Sequence, residues 1–79
     1  MLLKYIIIEK NDIPIIFPLD VFHSDVSFNM GTIKSAGFCL LNLKCNEIDV
    51  KCFGESTSLN IKSNSDLDEK VIKSNFFKK

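Results

Sequence analysis

The segment from Ser35 to Ser56, SAGFCLLNLKCNEIDVKCFGES, constrains this chain more tightly than any other. Two alternating runs meet at Cys45-Asn46. Asn is among the few residues that accept the left-handed backbone of a tight hairpin turn. A two-residue turn there pairs Lys44 with Glu47, Leu43 with Ile48, Asn42 with Asp49 and Leu41 with Val50. It also sets Leu40 opposite Lys51, Cys39 opposite Cys52 and Phe38 opposite Phe53. In that register Cys39, Leu41, Leu43, Ile48, Val50 and Cys52 make one face wholly apolar. The other face is mixed, with a charge-opposed pair and a stacked aromatic pair. Side chains alternate with a period of two, so a slip by one residue would scramble this sorting, and the register is strongly specified.

The first segment, LLKYIIIEKNDIPIIFP, reads as two more strands around Asn11-Asp12. A two-residue loop at that turn predicts Lys10 opposite Ile13, Ile8 opposite Ile15 and Ile6 opposite Phe17. Pro14 and Pro18 cannot donate to a ladder, so residues 13–17 belong at or near a sheet edge. The stretch LDVFHSDVSFNMG breaks the alternation and predicts a helix of one or two turns. Ser24 is its expected cap, His23 and Phe28 its staple, and Gly31 lies just past its end. STSLNIK alternates again and predicts a fifth strand, with Thr57, Leu59 and Ile61 on one side. SNSDLDEKVIKSNFFKK opens with Ser65 and Asp66 as caps, and Asp66 and Glu69 form a box-like pair. Leu67, Val71, Ile72 and Phe76 follow as a helical stripe. The prediction is one α+β domain over residues 1–79. It has an antiparallel sheet of four or five strands, a short helix, and a C-terminal helix packed on the sheet.

At 79 residues the core is small, and net stability of such a chain is only about 3–5 kcal/mol. All ten basic residues are Lys, balanced by ten acidic ones. Without Arg, the planar fork that grips phosphate and guanine is missing, which argues against a dedicated nucleic-acid binder. Lys70, Lys73, Lys78 and Lys79 read as charges complementing a helix C-terminus. No apolar run is long enough to span a membrane, and no charged-apolar-small pattern opens the sequence. Cys39, Cys45 and Cys52 are an odd number, which fits a reducing compartment, and a cytoplasmic location is the expectation.

FGESTSL, residues 53–59, begins like the turn that presents a nucleophilic serine. That turn needs small flanks on both sides and a helix after it, whereas here Ser58 closes it and a strand pattern follows. Gly54 therefore reads as a bend redirecting the chain. Ser56 with His23 and Asp20 or Asp25 remains the drawable alternative, a small hydrolase. Cys39 and Cys52 are either buried reduced thiols or a redox-responsive cross-strand bridge. His23 is the single histidine, and the cysteines lack metal-ligand spacing, so no metal or cofactor is expected. Asp66, Asp68 and Glu69 crowd one helix start, where the macrodipole accounts for them.

A binding surface is better supported than a catalytic one. Ile6, Ile7 and Ile8 on one strand, and Ile15 and Ile16 on its neighbour, offer apolar groups to both faces of the sheet. One C-terminal helix covers one face, so the short helix, sheet curvature or another chain must cover the rest. Ile7, Ile16, Phe22, Phe38 and Phe53 are the residues expected to meet a protein partner or a second copy. The order IIIEKNDIPIIFP, His23-Ser24-Asp25, SAGF, FGESTSL resembles that of small uncharacterised proteins of bacteria and their phages. The resemblance spans most of the chain, implies a stand-alone microbial protein and carries over no catalytic residue. Many phage proteins of this size are inhibitors that occlude a host enzyme, anti-CRISPR proteins among them. The expected function is accordingly a non-enzymatic protein-binding module of this inhibitor kind.

Overall fold

A computed structural model describes residues 1–44 and 46–76. Cys45, expected at the exposed tip of the turn, and Lys78 and Lys79 of the basic C-terminus lie outside the described residues. The fold is α+β. Strands β1 (Leu2–Ile8), β2 (Ile13–Phe17), β3 (Ile33–Lys44) and β4 (Glu47–Phe53) form an antiparallel sheet in the order β2-β1-β3-β4. A short helix α1 (His23–Ser27) precedes β3. A two-stranded hairpin, β5 (Glu55–Ser56) and β6 (Ile61–Lys62), then leads into helix α2 (Ser65–Phe76). Among the described residues no helix is long and apolar enough to cross a membrane.

The β3–β4 register is the one read from the sequence, from Lys44 opposite Glu47 to Phe38 opposite Phe53, with Asn46 at φ +72° in the turn. The β1–β2 register is displaced from its expectation by two residues. Ile8 faces Ile13, Ile6 faces Ile15 and Lys4 faces Phe17. The Glu9 N–H is taken by the Thr32 carbonyl at 2.9 Å, so Glu9 is held beside the other neighbour of β1 and the loop widens to four residues. A displacement by two preserves parity, and each side chain keeps its expected face. β2 is an edge strand, as its prolines require.

The expected fifth strand over residues 56–62 does not form as one piece. Gly54, at φ +77°, turns the chain out of β4. Thr57–Asn60 then make a turn with Asn60 at φ +56°, leaving only two-residue strands on either side. The hairpin packs beside β3. The approach is close enough that a Cβ on Gly37 would stand 2.5 Å from the Phe53 carbonyl oxygen.

The sheet buries both faces. On the first, Tyr5, Ile7, Cys39, Val50 and Cys52 pack with Ile72 of α2, and Leu3, Ile16, Leu41, Ile48 and Val71 flank them. On the second, Ile6, Phe17 and Ala36 lie under Val21, Val26, Met30, Leu59 and Ile61, supplied by the α1 segment and the β5–β6 hairpin. The second face is therefore covered by local chain at one end.

Both helices begin differently from their expectation. α1 starts at His23, with the Phe22 carbonyl accepting from the Asp25 and Val26 amides at 3.1 and 3.3 Å; Ser24 caps nothing. In α2 the residue that reaches back is Asp68, whose Oδ2 accepts the Asn64 N–H at 2.8 Å. Glu69 instead accepts the Cys52 N–H at 2.9 Å, occupying an outward donor on the β4 edge. The buried stripe of α2 runs through Asp68 and Ile72, while Leu67 and Phe76 are exposed.

Candidate functional site

Two clusters of polar side chains sit on opposite faces of the sheet. The first is sealed. Asp68, 1% exposed, accepts from the Tyr5 hydroxyl, from the Ser35 hydroxyl at 2.7 Å and from the Asn64 amide at 2.8 Å. Tyr5 and Ser35 are equally enclosed. Burial, reinforced by the carboxylate it donates to, raises the Tyr5 phenol above its ordinary range and keeps it a donor. With all three side chains buried and bonded to one another across elements, this cluster fastens α2 to the sheet. Sequence reasoning assigned Asp68 to the macrodipole. The signal that would have found it is its place one turn before Ile72, on the stripe that faces the sheet.

The second cluster is open and is the candidate site. His23 leads α1 into the sheet between Phe17 and Phe38, edge-on to both, with ring centroids 5.3 and 6.0 Å away. Its Nε2–H donates to the Gly37 carbonyl at 2.9 Å. Burial lowers its pKa from 6.5, and the nearby Lys4 ammonium pushes the same way, so the ring is neutral at pH 7. Phe38 stacks on Phe53 at 6.0 Å, the pair expected from the hairpin register. Lys4 donates to the Val21 carbonyl at 2.8 Å and lies 5.5 Å from the centre of the Phe22 ring. Lys4, Phe22, His23, Phe38, Glu55, Thr57 and Ser58 enclose a cleft of about 280 Å³.

The constellations drawn from the sequence are not assembled here. Ser56 is buried, and its Oγ accepts the Leu59 amide at 3.2 Å and meets Ser58 Oγ at 3.3 Å. The Nε2 of His23 is spent on Gly37, and Asp20 and Asp25 are exposed. Cys39 and Cys52 are free buried thiols directly opposite each other on the first face, with the sheet between them and His23. Burial pushes them up to about 11 and about 12, far from the thiolate form a redox or nucleophilic cysteine needs. Among the described residues no three His, Cys, Asp or Glu side chains gather as a metal site.

Of the residues expected to meet a partner, Ile7 is enclosed in the core and Ile16 is half-buried against it. Phe22 is 64% exposed, Phe53 is 45% exposed and Phe38 is half-buried between them and the cleft. Leu2 and Leu40 are register partners on the same face, one exposed and one half-buried. No family model, curated protein or solved structure matches this chain.

Proposed function

We propose that this chain is a non-enzymatic protein-binding module whose partner docks on the open end of the second sheet face. The observation that carries this reading is the unequal cover of that face. The α1 segment and the β5–β6 hairpin close over Ile6, Phe17 and Ala36. The rows Leu2–Leu40–Lys51 and Lys4–Phe38–Phe53 continue the same face beyond them, with Phe22 at the margin. Aromatic residues clustered around a cleft and rimmed by lysines have the composition of an interface core with a polar rim. The resemblance to small bacterial and phage proteins points to a host protein as the partner and to occlusion as the mode of action. A second copy of the chain is the other occupant this face would accept.

The test is sedimentation of the purified chain, together with capture of partners from the natural host, for the wild type and for Phe53→Asp. Phe53 is exposed, so the substitution places a charge on the patch at the cost of its stacking on Phe38, and circular dichroism checks that the fold is kept. A complex or dimer lost on substitution supports the reading. A strict monomer that retains nothing sinks it.

A further inference from the structure

Resting on the docking reading above, we propose that the His23 cleft is the anchor pocket for a tyrosine side chain of the protein partner. His23 is 4% exposed and its Nε2–H is bound to Gly37. Its Nδ1 has no hydrogen-bond partner among the described residues, yet no fully enclosed side-chain nitrogen or oxygen there lacks one. The residual exposure of the ring therefore includes Nδ1, and the cleft is the opening that His23 lines. A neutral imidazole with Nε2 protonated presents a bare lone pair at Nδ1. In the free chain only solvent is left to donate to it, and a partner's donor would take that place.

The rest of the lining selects the donor. Lys4 spends one proton on Val21 and keeps others to donate, so the incoming group must also accept. A guanidinium or ammonium could pair with Glu55 on the same lining, but it cannot accept from Lys4 and would meet that charge. A carboxylate has no proton for Nδ1. A hydroxyl does both, as does a side-chain amide, and the Phe22 and Phe38 rings favour a hydroxyl carried on an aromatic ring over an amide. The volume, about 280 Å³, falls below the roughly 300–1,000 Å³ of sites for whole drug-sized ligands and suits a single side chain. Tyrosine is also among the residues most enriched as interface anchors.

The experiment is an NMR titration of the labelled chain with p-cresol, 4-methylanisole and N-acetyl-tyrosinamide. The expected result is saturable shifts at Lys4, Phe22, His23, Phe38 and Thr57 with p-cresol and N-acetyl-tyrosinamide. Binding of 4-methylanisole, which has no proton to donate, should be about tenfold weaker. Phe22→Ala, at an exposed position that the fold does not need, should weaken p-cresol binding several-fold. Absence of p-cresol shifts up to its solubility limit overturns the assignment, and so does equal binding of 4-methylanisole. Binding of p-cresol without N-acetyl-tyrosinamide overturns the protein tyrosine in favour of a free phenol. A partner lost on Phe53→Asp while p-cresol leaves His23 unmoved overturns the anchor and keeps the docking face. Phenol binding by a chain that captures no partner supports the pocket's chemistry and overturns the docking face.

Discussion

The two faces of this sheet solve one problem in different ways. Both present apolar rows from the same strands, because Ile6, Ile7 and Ile8 leave neither side of β1 polar. On the first face a twelve-residue helix closes the core and is fastened through Asp68 to Tyr5 and Ser35. On the second, a five-residue helix and a two-residue-stranded hairpin close one end only, and one imidazole wedged between two phenyl rings stands where Asp68 stands on the other side. The first arrangement spends all its polar groups internally. The second keeps a lone pair, a lysine and three aromatic rings within reach of solvent. A small domain that needs stability and an interface can assign one to each side of a single sheet.

Removing the anchor of the sealed face should separate the two most strongly. Asp68→Leu leaves the Tyr5 and Ser35 hydroxyls and the Asn64 amide without their acceptor. Breaking a buried charged network in this way costs about 3–5 kcal/mol, as much as the whole stability expected of a chain this size. The variant should be unfolded by circular dichroism at 25 °C. A cooperative urea transition within about 1 kcal/mol of the wild type would show that α2 is held by apolar packing alone.

The corresponding cut on the open face should cost less and act locally. His23→Ala empties the slot between Phe17 and Phe38 and leaves the Gly37 carbonyl without its donor. Because the space opens to the cleft, water can enter, and about 2 kcal/mol is expected, near the low end for large-to-small core changes. Hydrogen exchange should speed up in α1 and the β5–β6 hairpin while the α2 amides keep their protection. Uniform acceleration across both faces would mean that they form one cooperative unit and that the division drawn here is false. A smaller change, Tyr5→Phe, takes one of three donors from Asp68 and leaves two. Its expected cost is about 1–2 kcal/mol by urea denaturation, and a neutral result would leave Ser35 and Asn64 as sufficient partners.

This contrast also marks what could be read from the residues alone. The β3–β4 register was legible because its apolar and polar residues sort cleanly only one way. The β1–β2 register was not: Ile6, Ile7, Ile8, Ile15 and Ile16 are interchangeable under a shift of two, and the hydrogen bond that decides it comes from distant Thr32. Leu59 and Ile61 alternate like strand residues, but Asn60 takes a left-handed turn between them. Alternation cannot distinguish a strand from a hairpin whose turn keeps both residues against the core. Phe22, Phe38 and Phe53 were readable as surface candidates from the mixed face of the hairpin and its neighbour. That they converge on His23 depended on where α1 lands, which no local pattern encodes. Asp68 was hidden by a good local explanation, three acidic residues at a helix start, two of which have separate tertiary partners: Tyr5 and Ser35 for Asp68, and the Cys52 amide for Glu69.

The proton on His23 should give the smallest effect and the finest test of the open face. Its folded-state pKa lies below the 6.5 of an exposed imidazole, because burial and the Lys4 charge disfavour the cation. As pH falls through 6.5 the unfolded chain takes up the proton before the folded one, so stability must fall with it. The contribution is fully present above 6.5, declines toward the lower folded value and then levels off. Carboxylates ordinarily titrate below this window, so the urea midpoint measured between pH ~7.5 and ~5.5 isolates the imidazole. The wild type should lose stability across that interval, whereas His23→Gln, which cannot take up the proton, should stay flat. If both lose it equally, another group titrates there. The neutral imidazole that leaves Nδ1 free as an acceptor would then lack its support.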